Sequence, residues 1–536
     1  MSRSRLIWIP VLLAAAGLAA FALLRSPVTP PPARPNVLIV LWDTVRADRM
    51  SLYGHTAPTT PRLEALAADA LVFDRATAPG MWTLPTHASM FTGQYATTHG
   101  ARAGYRWLDH HHDTLAEHLD ADGYDTVALS ANLVASPMTN LTQGFRTVHT
   151  TFPRRGAQRG RYVQAAKRAT RAKLIAGDAS TEISPAFAGN AADKWAKSVH
   201  KDAAPVLHGA LMDWLDERDD PDKPWFAYVN FMEAHTPRLP SQDARDQVMD
   251  AQTQAMALST ELSLFAENEA MIGARTYSDA ELAAIRGVYD ATLVDLDTAT
   301  GALLDDLSAR GVLDNTVVIL VADHGEHLGE HDRFEHRWSV HEELLHVPLV
   351  VRYPAAVPPG RVATRVSTTD VFATVLQLTG VTPRVPHHSR SLLDAPRSPH
   401  VFAQLLDPYA SQLANVQEVY PDVDYTPLLR TMCAAYEGDD KLIYASDGQH
   451  RLYDLGADPT EASDRFAAHP DRAAALTSAL GTWEVGLPVY DRSRRTAADG
   501  GGGQTHAEKQ MLQMLGYTDE DEDEAVSRCG PSPEAR

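Results

Sequence analysis

Asp43, Thr83, Asp323 and His324 are the side chains of this 536-residue sequence whose combination carries the most chemistry. Two carboxylates, an imidazole and a hydroxyl form a mixed oxygen and nitrogen donor set for one divalent cation. Such a set suits Zn²⁺ or Mn²⁺, and its carboxylates also suit Ca²⁺ or Mg²⁺. A hydroxyl beside that cation becomes a nucleophile, because the positive charge lowers its pKa. Taken singly, a strand-end aspartate is more often a helix cap or an ion-pair partner, so the conjunction carries the reading. Histidine is also dense: the chain has 23, and six fall between His324 and His346.

These residues lie far apart in sequence, so a fold must gather them. The run Val37–Trp42 is apolar and bounded by polar residues, the pattern of a strand buried on both faces. Thr126–Leu129, Trp225–Val229 and Thr316–Val321 repeat it, with helical stretches between, such as Pro61–Ala67 and Leu282–Leu307. Strands alternating with helices predict an α/β domain around a mainly parallel sheet. Ligands gather at the carboxyl ends of such strands, which draws attention to Asp43, to Asn230 through His235, and to Asp323-His324. The spacing predicts a catalytic domain over residues 36–393, with a polar insertion at about 154–204. A C-terminal subdomain follows over 394–495, where Lys441–Tyr444 and Arg451–Leu455 read as an antiparallel hairpin. Residues 496–536 read as a flexible acidic tail containing the run Asp519–Glu524.

The formal charge of −21 argues against nucleic acid as a partner, since that needs a basic footprint. Two cysteines exclude a disulfide scaffold and a thiolate cluster, and both Cys433 and Cys529 are expected to be free. Arg3 and Arg5 precede an apolar run from Leu6 to Leu24. At about 1.5 Å per residue in a helix this run spans roughly 28 Å, close to the bilayer's hydrocarbon thickness. Residues 1–25 are therefore expected to be a membrane signal-anchor, with residues 26–35 a proline-rich linker. The flanking arginines would place the remainder on the periplasmic or extracellular side, and cleavage of the segment would make the protein secreted.

Pro35–Thr44 with Arg46, Asp48 and Tyr53-Gly54, and then Trp82–Gly93, resemble the opening and the nucleophile segment of sulfatases, within the alkaline phosphatase superfamily. Asp323–His331 with His336 and Glu342-Glu343 resembles their second metal segment, and Leu452–Leu455 with Asp458-Pro459 their C-terminal subdomain. The resemblance runs from about Pro35 to Tyr517. It implies an alkaline-phosphatase-like sandwich, a central mainly parallel sheet flanked by helices, with a smaller C-terminal α+β subdomain carrying a short antiparallel sheet. It also implies that Asp43, Thr83, Asp323 and His324 hold one divalent metal ion, with Thr44 a weaker candidate. Thr83 would be the nucleophile, His235 and His336 would handle a proton or a non-bridging oxygen, and His87 would orient Thr83. His327 and His331 fall in the turn after the metal segment, as structural residues or as a second cation site.

Three departures from the family pattern bear on mechanism. Thr83 stands where competent sulfatases carry a Cys or Ser that becomes formylglycine, and His87 replaces the arginine that this conversion requires. Thr44 stands where many members have an aspartate. Ser130–Leu133 lies opposite a segment that usually supplies a lysine and a histidine, and neither is present. Threonine cannot yield the aldehyde, and a sulfated threonine is poorly split without it. Threonine members of the superfamily, resembling lipoteichoic acid synthases and phosphoethanolamine transferases, act on phosphoesters. The expected activity is thus hydrolysis or transfer of an anionic sulfate or phosphate ester through Thr83, leaning to phosphoesters. The alternatives are a true sulfatase without formylglycine and a non-catalytic binding pseudoenzyme.

Overall fold

The computed structural model describes residues 34–152, 162, 165, 203–408, 410–496, 499 and 528–531. The N-terminal apolar run, nearly all of the expected insertion and the acidic run lie outside these residues. Among the described residues, no helix is long and apolar enough to cross a membrane.

An eight-stranded sheet forms the centre. Asn36–Trp42 lies in its middle, parallel to Trp225–Phe231 on one side and to Thr316–Ala322 on the other. Asp125–Ser130 continues the sheet in parallel beyond Trp225–Phe231, and Thr147–Thr150 forms that edge. All seven residues of each of the three central strands are buried. That explains why they read as unbroken apolar runs: neither face meets water, so no polar alternation is selected. The other half of the sheet is mixed. Leu349–Arg352 runs antiparallel to both Thr316–Ala322 and Leu71–Phe73, and Gly360–Val362 lies at the edge. These short strands have too few residues to show a period.

Helices cover the sheet. The largest, Asp279–Ala309, begins at a capping box in which Ser278 and Glu281 satisfy each other's backbone N–H groups. Trp42, fully buried, donates its indole N–H to Thr300 Oγ1 at 2.9 Å, pinning this helix to the central strand. Pro61–Ala67 is helical as its pattern suggests, with proline at its first turn.

A second sheet of four antiparallel strands follows: His400–Leu405, Met432–Glu437, Asp440–Ala445 and Arg451–Asp454. The expected hairpin forms its outer half. Its apolar face packs under the helix Pro470–Gly486 through Leu442, Leu452, Leu476 and Leu480.

The cysteines correct the sequence reading, for Cys433 and Cys529 are joined by a disulfide. Residues 528–531 return to this helix, and the backbone N–H groups of Cys529 and Gly530 donate to the Glu484 carboxylate at 2.9 and 3.0 Å. A buried carboxylate is a poor thing to leave unpaired, and it captures the returning chain. Nothing in the spacing of two cysteines 96 positions apart reveals that contact.

Candidate active site

Strand register brings the two aspartates together. Trp42 pairs with Ala322 in the parallel ladder, so Asp43 and Asp323 leave adjacent strand ends side by side. Asp43, Asp323 and His324 are all buried, and one ligand atom from each lies within 4.8 Å of the others. Asp43 Oδ1, Asp323 Oδ2 and His324 Nε2 are enclosed with no hydrogen-bond partner. His324 Nδ1 lies 2.9 Å from Gly325 O; donating its proton there, the ring keeps the Nε2 lone pair for a ligand. Burial pushes the Asp43 carboxyl up to about 7, with the charge of Asp323 adding to it. Burial likewise pushes Asp323 up to about 7. Two carboxylates at one dry point resist ionising together, and a divalent cation would remove that conflict. The orphaned oxygen, oxygen and nitrogen donors therefore fit a single divalent ion.

Thr83 begins the ten-residue helix Thr83–Thr92 and is buried. Its hydroxyl lies 3.4 Å from Asn132 Nδ2. The positive end of the helix dipole favours negative charge on that oxygen or beside it. His87, one turn along, is fully buried, and burial holds its ring neutral by lowering its pKa to about 3. Its Nδ1 lies 2.8 Å from Thr83 O and its Nε2 2.7 Å from the Tyr228 hydroxyl. Both ring nitrogens are occupied, so His87 braces the backbone of Thr83 and has none left for a substrate.

Thr44 sits in the turn that follows Asp43. Its hydroxyl turns back to donate to Asp43 O at 2.7 Å, while its backbone N–H donates to Asp323 Oδ1 at 3.3 Å. Its φ of 60° makes this possible. The residue supports a ligand through its main chain.

His324, His336 and His235 form a row, with ring centroids 4.5 Å apart for the first pair and 5.2 Å for the second. His336 Nδ1 lies 3.0 Å from Glu326 Oε1, and Glu326 Oε2 accepts from Arg238 at 2.7 Å. Burial pushes the His336 pKa well below its usual value, so the ring is neutral. His235 is partly exposed, at the outer end of the row, with Nδ1 2.7 Å from Thr236 O.

The structure gives parts to residues to which the sequence reading assigned none. Asn132 donates to Asp43 Oδ2 at 2.6 Å, and Asn230 approaches the same oxygen at 3.4 Å. Both follow from the strand ends: Ser130 pairs with Asn230 in the ladder, and Asn132 comes two residues later. Glu326 and Arg238 complete the support of His336. Gly325 carries its own signal, because a Cβ there would stand 2.0 Å from Glu343 O. Only glycine lets the turn after His324 seat against the helix Glu342–Leu345.

The sulfatase family model matches residues 35–381 of this chain, which hold all of these groups. The ulvan-active sulfatase of Formosa agariphila is 24% identical over 445 residues, 80% of this chain and 76% of that protein. Arylsulfatase K of Xenopus laevis is 25% identical over 220 residues, only 38% of each chain. Among solved structures, the phosphonate monoester hydrolase of Agrobacterium radiobacter superposes with a TM-score of 0.62 at 21% identity, covering 84% of this chain and 96% of that one. With the family model spanning more than half of its residues, the chain is a member of the sulfatase family of ester hydrolases.

Proposed function

We propose that the protein is a metal-dependent hydrolase or transferase of phosphate esters that works through Thr83. The observation that carries this is an unmodified threonine hydroxyl, at a helix N-terminus, that shares the Asn132 amide with Asp43, one of three metal-ligand groups with an orphaned donor atom. Asp43, Asp323 and His324 would hold the divalent ion, which when bound supplies charge neutralisation for the anionic ester and lowers the pKa of the nearby hydroxyl. Thr83 Oγ, its proton released to solvent before attack, forms the new bond to phosphorus as the bond to the leaving alcohol breaks. The leaving alkoxide takes a proton from a protonated His235, the more accessible ring of the histidine row, which solvent then reprotonates. Asn132 steadies the Asp43 carboxylate and stands beside the attacking oxygen. Water, or an acceptor hydroxyl, then displaces Thr83 from the phosphothreonine. A sulfothreonine would lack the aldehyde route of release, which is why phosphate is preferred over sulfate here. The phosphonate monoester hydrolase neighbour supports this lean in outline only.

The compartment belongs to the same proposal. A disulfide survives in oxidising surroundings, and the N-terminal arginine-flanked apolar run would anchor the chain with its catalytic domain on the periplasmic or extracellular side.

Turnover of aryl phosphate, phosphodiester and aryl sulfate reporters, with defined metals and in parallel with Thr83→Ala, tests the reading. Phosphoester turnover should depend on metal and collapse in the variant. Undiminished activity of T83A would remove the nucleophile assignment. Preference for the sulfate reporter would overturn the choice of ester.

A further inference from the structure

A second cluster of ligating side chains lies on the far side of the turn that follows His324, and the proposed chemistry makes no use of it. It comprises His331, His341, Glu343 and Glu461, with one ligand atom from each within 4.8 Å of the others. His331 comes from the turn Glu330–Asp332, and His341 and Glu343 from the start of the helix Glu342–Leu345. Glu461 comes from the C-terminal subdomain, beyond the last strand of the small sheet. His331 Nε2 faces Glu343 Oε1 at 3.5 Å, and His341 Nδ1 faces Glu461 Oε2 at 3.2 Å. The two imidazoles are stacked with centroids 4.0 Å apart, each facing one of the two carboxylates.

Three observations mark this as a built site. Glu343 and Glu461 are 7% and 2% exposed, yet Glu343 Oε2 is buried with no hydrogen-bond partner. His331 and Glu461 hold φ values of 55° and 51°, in the left-handed region that residues with a Cβ avoid unless the surroundings impose it. The carboxylates are also paired unequally: Lys441 pairs with Glu342 and Glu461, and Arg365 with Glu342, whereas the ion pair of Glu343 is with His331 at 3.5 Å.

We propose that His331, His341, Glu343 and Glu461 form a structural site for a zinc-class divalent ion, separate from the catalytic centre. Two imidazoles and two carboxylates match a tetrahedral ion of that class, whereas Ca²⁺ and Mg²⁺ favour all-oxygen sets. Bond lengths of about 2.0–2.2 Å imply ligand separations of roughly 3.4 Å, which the two measured pairs already meet. His327, 1% exposed and with neither ring nitrogen partnered, flanks the cluster, its ring 6.2 and 6.3 Å from those of His331 and His341. The ion would clamp Glu461 of the small sheet's subdomain to the helix Glu342–Leu345. That helix in turn accepts the backbone N–H groups of Gly325 and Glu326 at 2.8 and 3.0 Å, so the clamp would brace the turn that carries His324.

The test uses the full-length chain, stripped with a chelator and titrated with Zn²⁺ or Co²⁺ alone, in an Asp43→Asn/Asp323→Asn background that disables the catalytic donors. The chain should retain one zinc by elemental analysis and gain melting temperature. With Co²⁺ it should show the intense visible bands of tetrahedral coordination. His331→Ala and Glu343→Gln in that background should each lose the ion, the bands and the gain. If E343Q fails to fold, H331A decides, because that side chain is partly exposed. No retained zinc in the background chain, or equal retention in H331A, would overturn the site. Stabilisation by acidification without metal uptake would overturn it too, by assigning the cluster to a protonated His331 paired with Glu343.

Discussion

Replacing Asn132 with alanine removes a donor that no family motif required and that only the folded chain places beside the nucleophile. Asn132 Nδ2 donates to Asp43 Oδ2 at 2.6 Å, while its Oδ1 accepts from Val134 N at 2.7 Å. The first bond orients a carboxylate at the metal site; the second closes the local turn. A hydrogen bond to a charged group contributes about 1.5–3 kcal/mol. If the whole of that is felt in the transition state, kcat/KM falls by about 10- to 150-fold. Alanine also strands the buried Val134 N–H, at a further cost to stability of about 1–3 kcal/mol. Asn132→Asp separates the two effects, because it retains an acceptor for Val134 and loses the donor to Asp43. Assayed with phosphoester reporters at saturating metal, both variants should lose activity, while the alanine variant should lose more melting temperature. Unchanged kcat/KM in both variants would refute the claim that Asn132 holds Asp43 in its working orientation.

Two more outcomes follow from the buried carboxylates and from the cross-link. Asp43 and Asp323 are both held near 7, far above the unfolded aspartate value. Without metal the folded chain therefore binds protons that the unfolded chain has released, and its stability falls as pH rises from about 4 to about 7. Metal requires both groups ionised, so its affinity climbs over the same interval. Thermal denaturation should show a larger metal-induced shift at pH 8 than at pH 5.5, and equal shifts would refute the assignment of these groups as ligands. The Cys433–Cys529 bond closes a separation of 96 residues. Cys433→Ala/Cys529→Ala should destabilise the chain by about 2–5 kcal/mol, read from denaturant midpoints under oxidising conditions, and should leave it insensitive to reductant.

Much of the architecture was legible in the sequence, for a particular reason. Strands buried on both faces must be apolar throughout, and that requirement writes Asn36–Trp42, Trp225–Phe231 and Thr316–Ala322 into the chain. A polar residue at the end of such a run then stands out, which is how Asp43 and Asp323-His324 became visible. The strands Leu71–Phe73, Thr147–Thr150 and Gly360–Val362 escaped notice because three or four residues carry no period, and only the neighbouring strand gives them their form.

The sequence by itself determined the fold class, the family and the chemical types gathered at the strand ends. Tertiary structure alone decided how each side chain is used. Asp43 and Asp323 are brought together by the register that sets Trp42 beside Ala322 in the parallel ladder, and Asp323 also accepts from the backbone of Thr44. Thr44 turns its hydroxyl away and supports Asp323 through its main chain, and His87 spends both ring nitrogens on Thr83 and Tyr228. Asn132 donates to Asp43, and the backbone of Cys529 donates to the buried Glu484 where the disulfide to Cys433 forms. Each of these turns on the direction of a single bond or the accessibility of a single atom. A residue's type sets which contacts it can make, and the surrounding packing selects which of them it does.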